Sequence, residues 1–339
     1  MRSNRMIKFT FPLLLLLAIY FIGERPERPK YRHQLPEVPT APQALINYVS
    51  ANESKHQLKP DNHARIVWYD STFGKTEYVI VYIHGFSASQ KEGDPVHLRF
   101  ATDFGCNLYL ARLADHGIDT TESLLYFTAD RAWESAKEAL AIGMAIGEKV
   151  ILVSTSTGST LALKLAATYP EKVHALINLS PNIEINNPAA FLLNDPWGLQ
   201  IARMVMKGKY RVTDADEVRS QYWNNPYRLE SLVQLQELVE TTMTKETFEK
   251  ITHPSLTLYY YRNEKEQDPE VKVSAMLEMH RQLSTPDSLK VGKAIPGAGA
   301  HVIGGSLASK DVESVYREME TFALGKLNMR KIVVGLAEK

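Results

Sequence analysis

Lys149-Val150-Ile151-Leu152-Val153-Ser154-Thr155-Ser156-Thr157-Gly158 is the stretch that decides the fold. The apolar run Lys149 to Val153 reads as a buried strand, and Ser159 to Tyr169 reads as a helix. A strand that ends in small-x-Ser-x-Gly and enters a helix at once is the sequence form of a nucleophile elbow. The sharp turn lifts the Ser156 hydroxyl clear of the sheet. Small residues are needed two before and two after the serine, because neighbouring backbone passes close there. Gly158 meets that need, and Ser154 stands where glycine is usual.

A serine nucleophile needs a base to take its proton and an acid to hold that base in the right tautomer. On this kind of sheet the chain order is nucleophile, acid, histidine. Downstream of Ser156, the apolar run Ser255 to Tyr261 leads into a polar loop with Glu264, Glu266 and Asp268. A second short strand, Val291 to Pro296, opens into Gly297-Ala298-Gly299-Ala300-His301. A histidine in a Gly/Ala loop has few packing contacts to explain it, so His301 is the candidate base. Upstream, Tyr78 to Ile83 runs into His84-Gly85-Phe86-Ser87. A turn of this type supplies one oxyanion-binding amide, here Phe86, and the residue after the nucleophile, Thr157, supplies the other.

Taken together, His84-Gly85-Phe86, Leu113-Ala114-Asp115-His116-Gly117, Ser154 to Gly158, Asp268-Pro269-Glu270-Val271 and His301 resemble the α/β-hydrolase superfamily of serine hydrolases. The similarity is to its lysophospholipase, monoacylglycerol-lipase and carboxylesterase-like branch, over roughly residues 60–325. The resemblance implies Asp268 as the acid, through the pattern Asp-x-x-Val, with Glu264 and Glu266 as alternatives in the same loop. It implies that His84 and His116 support the backbone of the site. It also implies hydrolysis of a lipid-like acyl ester through an acyl-enzyme, with no cofactor and no metal. An aspartate replaces the serine in haloalkane dehalogenases and epoxide hydrolases of this fold, so Ser156 excludes those chemistries.

Strand-like and helical stretches alternate before and after the elbow. Strands are expected at Ala64–Tyr69, Cys106–Leu113 and Val173–Leu179, and helices at Asp94–Phe104, Ala132–Ile146 and Ser309–Gly325. This alternation predicts an α/β fold, a mostly parallel central sheet flanked by helices. It stops between residues 183 and 253, where the family places a helical cap. Trp197, Tyr222 and Trp223 in that insertion are the pocket candidates, since an acyl chain needs an apolar wall.

The N-terminus carries Arg2, Arg5 and Lys8 before the apolar run Phe9–Gly23. That form reads as a signal anchor or a signal peptide. No small-x-small cleavage site follows, which favours an anchor, with the catalytic domain outside the cytoplasm; cleavage would instead give a secreted or periplasmic protein. The expected organisation is a basic region at 1–8, the anchor at 9–23 and a Pro-rich tether at 24–42. The hydrolase core follows at 43–182 and 254–327, around a cap at 183–253, with a tail at 328–339.

Composition excludes other classes. Lysine plus arginine and aspartate plus glutamate both number 39, so no basic surface for nucleic acid is indicated. The single cysteine, Cys106, allows no intrachain disulfide. HExxH, CxxC and Walker motifs are absent, and Gly297-x-Gly299 lacks the third glycine of a dinucleotide site. A serine peptidase or an acyltransferase would use the same triad. An inactive, membrane-anchored binding protein on the same fold is the reading outside enzymology.

Overall fold

A computed structural model describes residue 15 and residues 17–332. Helix α1 (Pro42–Glu53) leads into strand β1 (Arg65–Val67) and the buried strand β2 (Thr76–Ile83). Then come α2 (Val96–Asp103), β3 (Asn107–Leu110), α3 (Ala129–Ile146), β4 (Gly147–Thr155), α4 (Thr157–Thr168) and β5 (Ala175–Leu179). An insertion holds α5 (Gly198–Val205), α6 (Glu217–Tyr222), α7 (Glu230–Thr242) and α8 (Lys245–Glu249). The chain re-enters the sheet as β6 (Ser255–Tyr259), and α9 (Val273–Gln282), β7 (Lys290–Ala294) and α10 (Val312–Gly325) complete it.

The seven strands run in the order β1-β3-β2-β4-β5-β6-β7. Only β1 is antiparallel to its neighbour, and all other pairs are parallel. Parallel strands covered on both faces must be apolar throughout, which is why Val79 to Ile83 and Val150 to Val153 are all buried. Helix α3 packs close to the sheet because its inner face is small. A Cβ on Gly143 would lie 2.4 Å from Val81 Cγ2, and Ala132, Ala136 and Ala139 share that buried face. Thr128 caps the helix by accepting a hydrogen bond from Arg131 N–H.

One N-terminal expectation changes. The basic region and Phe9–Leu14 lie outside the described residues. Among the described residues no helix is long and apolar enough to cross a membrane, and this overturns the signal-anchor and transmembrane expectation. The physical reason is length: an apolar run of fifteen residues falls short of the roughly 20 that span a bilayer. Within the Pro-rich stretch 24–42, residues 30–34 make contacts with α3. Asp130 accepts the main-chain N–H groups of Lys30 and Tyr31, and Trp133 Nε1 donates to Arg32 O at 2.8 Å. Lys137 Nζ donates to Gln34 O, and Tyr31 itself is buried. Pro-rich composition marks an extended chain; it does not say whether that chain finds a surface.

Candidate functional site

The site lies where β2, β4, β6 and β7 end. Register places Ile83 beside Ser154 and Thr155 beside Leu179, so the His84 turn and the Ser156 turn leave the sheet side by side. Ser156 has φ 51° and ψ −120°, a conformation that a serine adopts only where its surroundings force it. Here Ser156 N–H donates to Leu179 O at 3.0 Å. Gly158 explains the local sequence, since a Cβ there would stand 2.0 Å from Ile83 O. Ser154 replaces the usual glycine without an orphaned hydroxyl, because its Oγ donates to Ser159 Oγ at 2.9 Å.

Asp268 and His301 are brought together across 33 residues of chain: His301 Nδ1 and Asp268 Oδ2 lie 2.8 Å apart. The Asp268 side chain is fully buried. Its Oδ1 accepts the main-chain N–H groups of Glu270 and Val271 at 2.9 and 3.1 Å. With its oxygens committed in this way the carboxylate is an acceptor for His301 Nδ1–H, which leaves Nε2 as the free ring nitrogen. Burial works against protonating His301, but the charge and hydrogen bond of Asp268, helped by Glu92 and Glu270, carry its pKa above the ordinary value. Glu264 and Glu266 are elsewhere, on an exposed hairpin (Tyr261–Asn263 with Glu266–Gln267) that precedes Asp268. Glu264 accepts from Tyr261 Oη, and Glu266 pairs with Arg262 and Asn263.

Ser156 and His301 line one cavity of about 500 Å³, together with Phe86, Thr157, Glu92, Trp223 and Tyr227. The Phe86 N–H has no hydrogen-bond partner among the described residues. Thr157 opens α4, so its N–H is one of the orphaned donors of a helix start. The Phe86 ring is wedged against Phe127 and Tyr227, at 5.4 and 5.3 Å between centroids.

His84 and His116 are both fully buried and are ties between loops. Leu113 N–H donates to His84 Nε2, and His84 Nδ1 lies 2.8 Å from Gly85 O. Ser87 N–H donates to His116 Nε2, and His116 Nδ1 faces Ala114 O. Burial holds both imidazoles neutral, His84 well below its ordinary pKa and His116 at about 4.

Of the three pocket candidates, only Trp223 lines the cavity. Trp197 donates its Nε1–H to Ile19 O, on the N-terminal segment. Tyr222 turns outward to Asp61 Oδ2 at 3.2 Å, with Lys91 over its ring. Sequence reasoning missed Glu92, Asn182 and Asn224, which also line the cavity. They sit in polar stretches that carry no motif, so no sequence signal marked them.

No family model and no curated protein matches the chain. Solved structures do. One of the metagenome-derived lipolytic enzymes LipS and LipT superimposes with a TM-score of 0.62 at 13% identity, over 78% of this chain and 98% of that one. The Paleococcus ferrophilus monoacylglycerol lipase gives 0.55 at 14% identity, over 76% and 96%. Est1E of Butyrivibrio proteoclasticus, with ferulic acid bound, gives 0.53 at 17% identity, over 78% and 95%. The chain has the α/β-hydrolase fold.

Proposed function

We propose that this chain is a serine hydrolase that cleaves carboxylic esters, of the lipase or esterase type acting on monoacylglycerol- or lysophospholipid-like substrates. One observation carries the reading: His301, hydrogen-bonded to the buried Asp268, shares a cavity with a serine held at positive φ on a strand-to-helix turn. Lipases and esterases among the structural neighbours support it.

In this mechanism His301 Nε2 takes the Ser156 proton as Oγ attacks the acyl carbonyl. Asp268 stabilises the imidazolium. The N–H groups of Phe86 and Thr157 hold the oxyanion, and a single such donor contributes about 3 kcal/mol in the transition state. His301 then protonates the leaving alcohol. Water, deprotonated by His301, hydrolyses the acyl-enzyme. The acyl chain would lie against Trp223, Ile185, Leu232, Leu235 and Val271, apolar residues of the cavity wall.

The test is hydrolysis of p-nitrophenyl esters of graded chain length by the protein and by Ser156→Ala. The expected result is turnover that disappears in the variant, with the preferred chain length reporting the depth of the cavity. Fluorophosphonate labelling of Ser156 without ester turnover would point to a peptidase or acyltransferase. Neither labelling nor turnover would overturn the enzyme reading.

A further inference from the structure

Glu92 is a buried carboxyl that the reaction above does not use. It lies on the short 3-10 segment Gln90–Gly93, just after the His84–Ser87 turn, and is 2% exposed. Its Oε2 accepts the main-chain N–H of Gly85 at 2.5 Å. A Cβ on Gly85 would stand 2.8 Å from Glu92 Oε1 and 3.0 Å from Ser156 Cβ, so glycine is needed there for the carboxyl and the serine to share one small space. Glu92 also lines the cavity with Ser156 and His301.

The charged and titratable groups around it are few. His301, from the loop after β7, lines the same cavity, and Tyr82 of β2 packs against Gly93 beside it. Lys91, on its own turn, is directed to Asp94 at 2.5 Å. His97, from α2, donates to Gln90 O and is neutral, with a pKa near 4. No arginine or lysine among the described residues pairs with Glu92. Burial pushes its carboxyl up to about 7, against the opposing pull of the Gly85 hydrogen bond and of His301. An acid with this surrounding changes charge close to neutral pH, beside the group that the mechanism needs as a base.

We propose that Glu92 is a positioning residue of this site: its carboxyl fixes the His84–Ser87 turn through Gly85 N–H and sets a negative charge in the cavity wall that His301 shares. The inference rests on the reading of Ser156 as nucleophile and His301 as base. It has a definite sign. Ionised Glu92 raises the proton affinity of His301. Glu92→Gln keeps an acceptor for Gly85 N–H and removes the charge. The His301 pKa should then fall by about one unit, and the acid limb of kcat/KM, which follows deprotonation of the base, should move to lower pH by a similar amount.

The experiment is an NMR titration of the His301 ring in the full chain, comparing wild type, Glu92→Gln and Glu92→Asp, with fluorophosphonate labelling of each protein across the same pH range. Glu92→Gln should shift both the titration and the labelling profile to lower pH. Glu92→Asp, which keeps the charge, should stay near wild type. A His301 titration unmoved in Glu92→Gln would overturn the proposal and leave Glu92 as packing. A wild-type protein that fluorophosphonate does not label would overturn the nucleophile reading instead, so the two failures are distinguishable. Should Glu92→Gln not fold, a shift in Glu92→Asp as large as about one unit would equally count against the proposal, since the charge is still present.

Discussion

Three candidate acids, Glu264, Glu266 and Asp268, lie in the loop after β6, and only one of them is shielded from water. Asp268 is buried against His301 and held by two backbone amides, whereas Glu264 and Glu266 pair with neighbours on an exposed hairpin. A buried, immobile carboxylate can select one imidazole tautomer; an exposed one is screened and free to turn. Asp268→Asn should therefore lower kcat by about four orders of magnitude, the scale of a wrong tautomer in a serine triad. Glu266→Gln should leave kcat within about twofold. Both are checked by ester hydrolysis, and the reverse pattern would assign the acid to Glu266. The proposed nucleophile and base, Ser156 and His301, stand out in the sequence because chemistry dictates their neighbours: Gly158 under the elbow, and glycines and alanines around the histidine. For the proposed acid the sequence pointed only to a loop. The hairpin that separates the three candidates is made by cross-strand pairing of Glu266 with Asn263, and no local spacing encodes which side of that pairing faces the histidine. Glu92 was not legible at all, since Ser89-Gln90-Lys91-Glu92 has the composition of a solvated turn, and what buries it comes from β2, β4 and the His301 loop.

Helical elements in the insertion show the same limit at a larger scale. Val233, Leu235, Leu238 and Val239 recur at helical spacing and form the buried side of α7. That spacing could not tell which aromatic residues of the neighbouring segments turn inward, because that depends on what each helix meets. Trp223 follows α6 and reaches the cavity, with Arg219 over its ring. Trp197 precedes α5 and is taken by the N-terminal segment, through both its ring N–H to Ile19 O and its main-chain N–H to Glu24 O. The two residues should respond differently. Trp223→Ala should raise KM for long-chain esters by about tenfold, roughly 1.4 kcal/mol of lost apolar contact, with short-chain esters nearly unaffected. Trp197→Ala should leave KM unchanged for both. Steady-state kinetics on acetyl and dodecanoyl esters decides it, and equal effects of the two substitutions would place the acyl chain elsewhere.

At the scale of the whole molecule, a sheet that was legible from the alternation of apolar runs brings several ionisable groups into one dry interior, which no local pattern reveals. His84, His97 and His116 are fully buried and neutral, His97 and His116 with pKa values near 4 and His84 well below its ordinary value, all chiefly through desolvation. Unfolded, each takes up a proton near pH 6.5. Between about 6.5 and 4 the unfolded chain therefore binds more protons than the folded one, and stability falls as pH falls through that window. Glu92 acts in the opposite sense. Its folded pKa of about 7 lies above the ordinary carboxylate value, so its contribution is present at low pH and is lost as pH rises toward 7. His301, also raised, adds to that sense. His174 and His280 are depressed by burial as well, so five histidines stand against these two groups, and the melting temperature should drop steadily from pH 7 to pH 4.5. Two variants separate the terms. Glu92→Gln removes the opposing carboxyl and should make the acid drop steeper. His97→Gln, which keeps a side-chain donor for Gln90 O, should make it shallower. Melting curves across this pH range measure both, and a melting temperature that holds level or rises on acidification would mean that the histidines are not kept neutral by the fold.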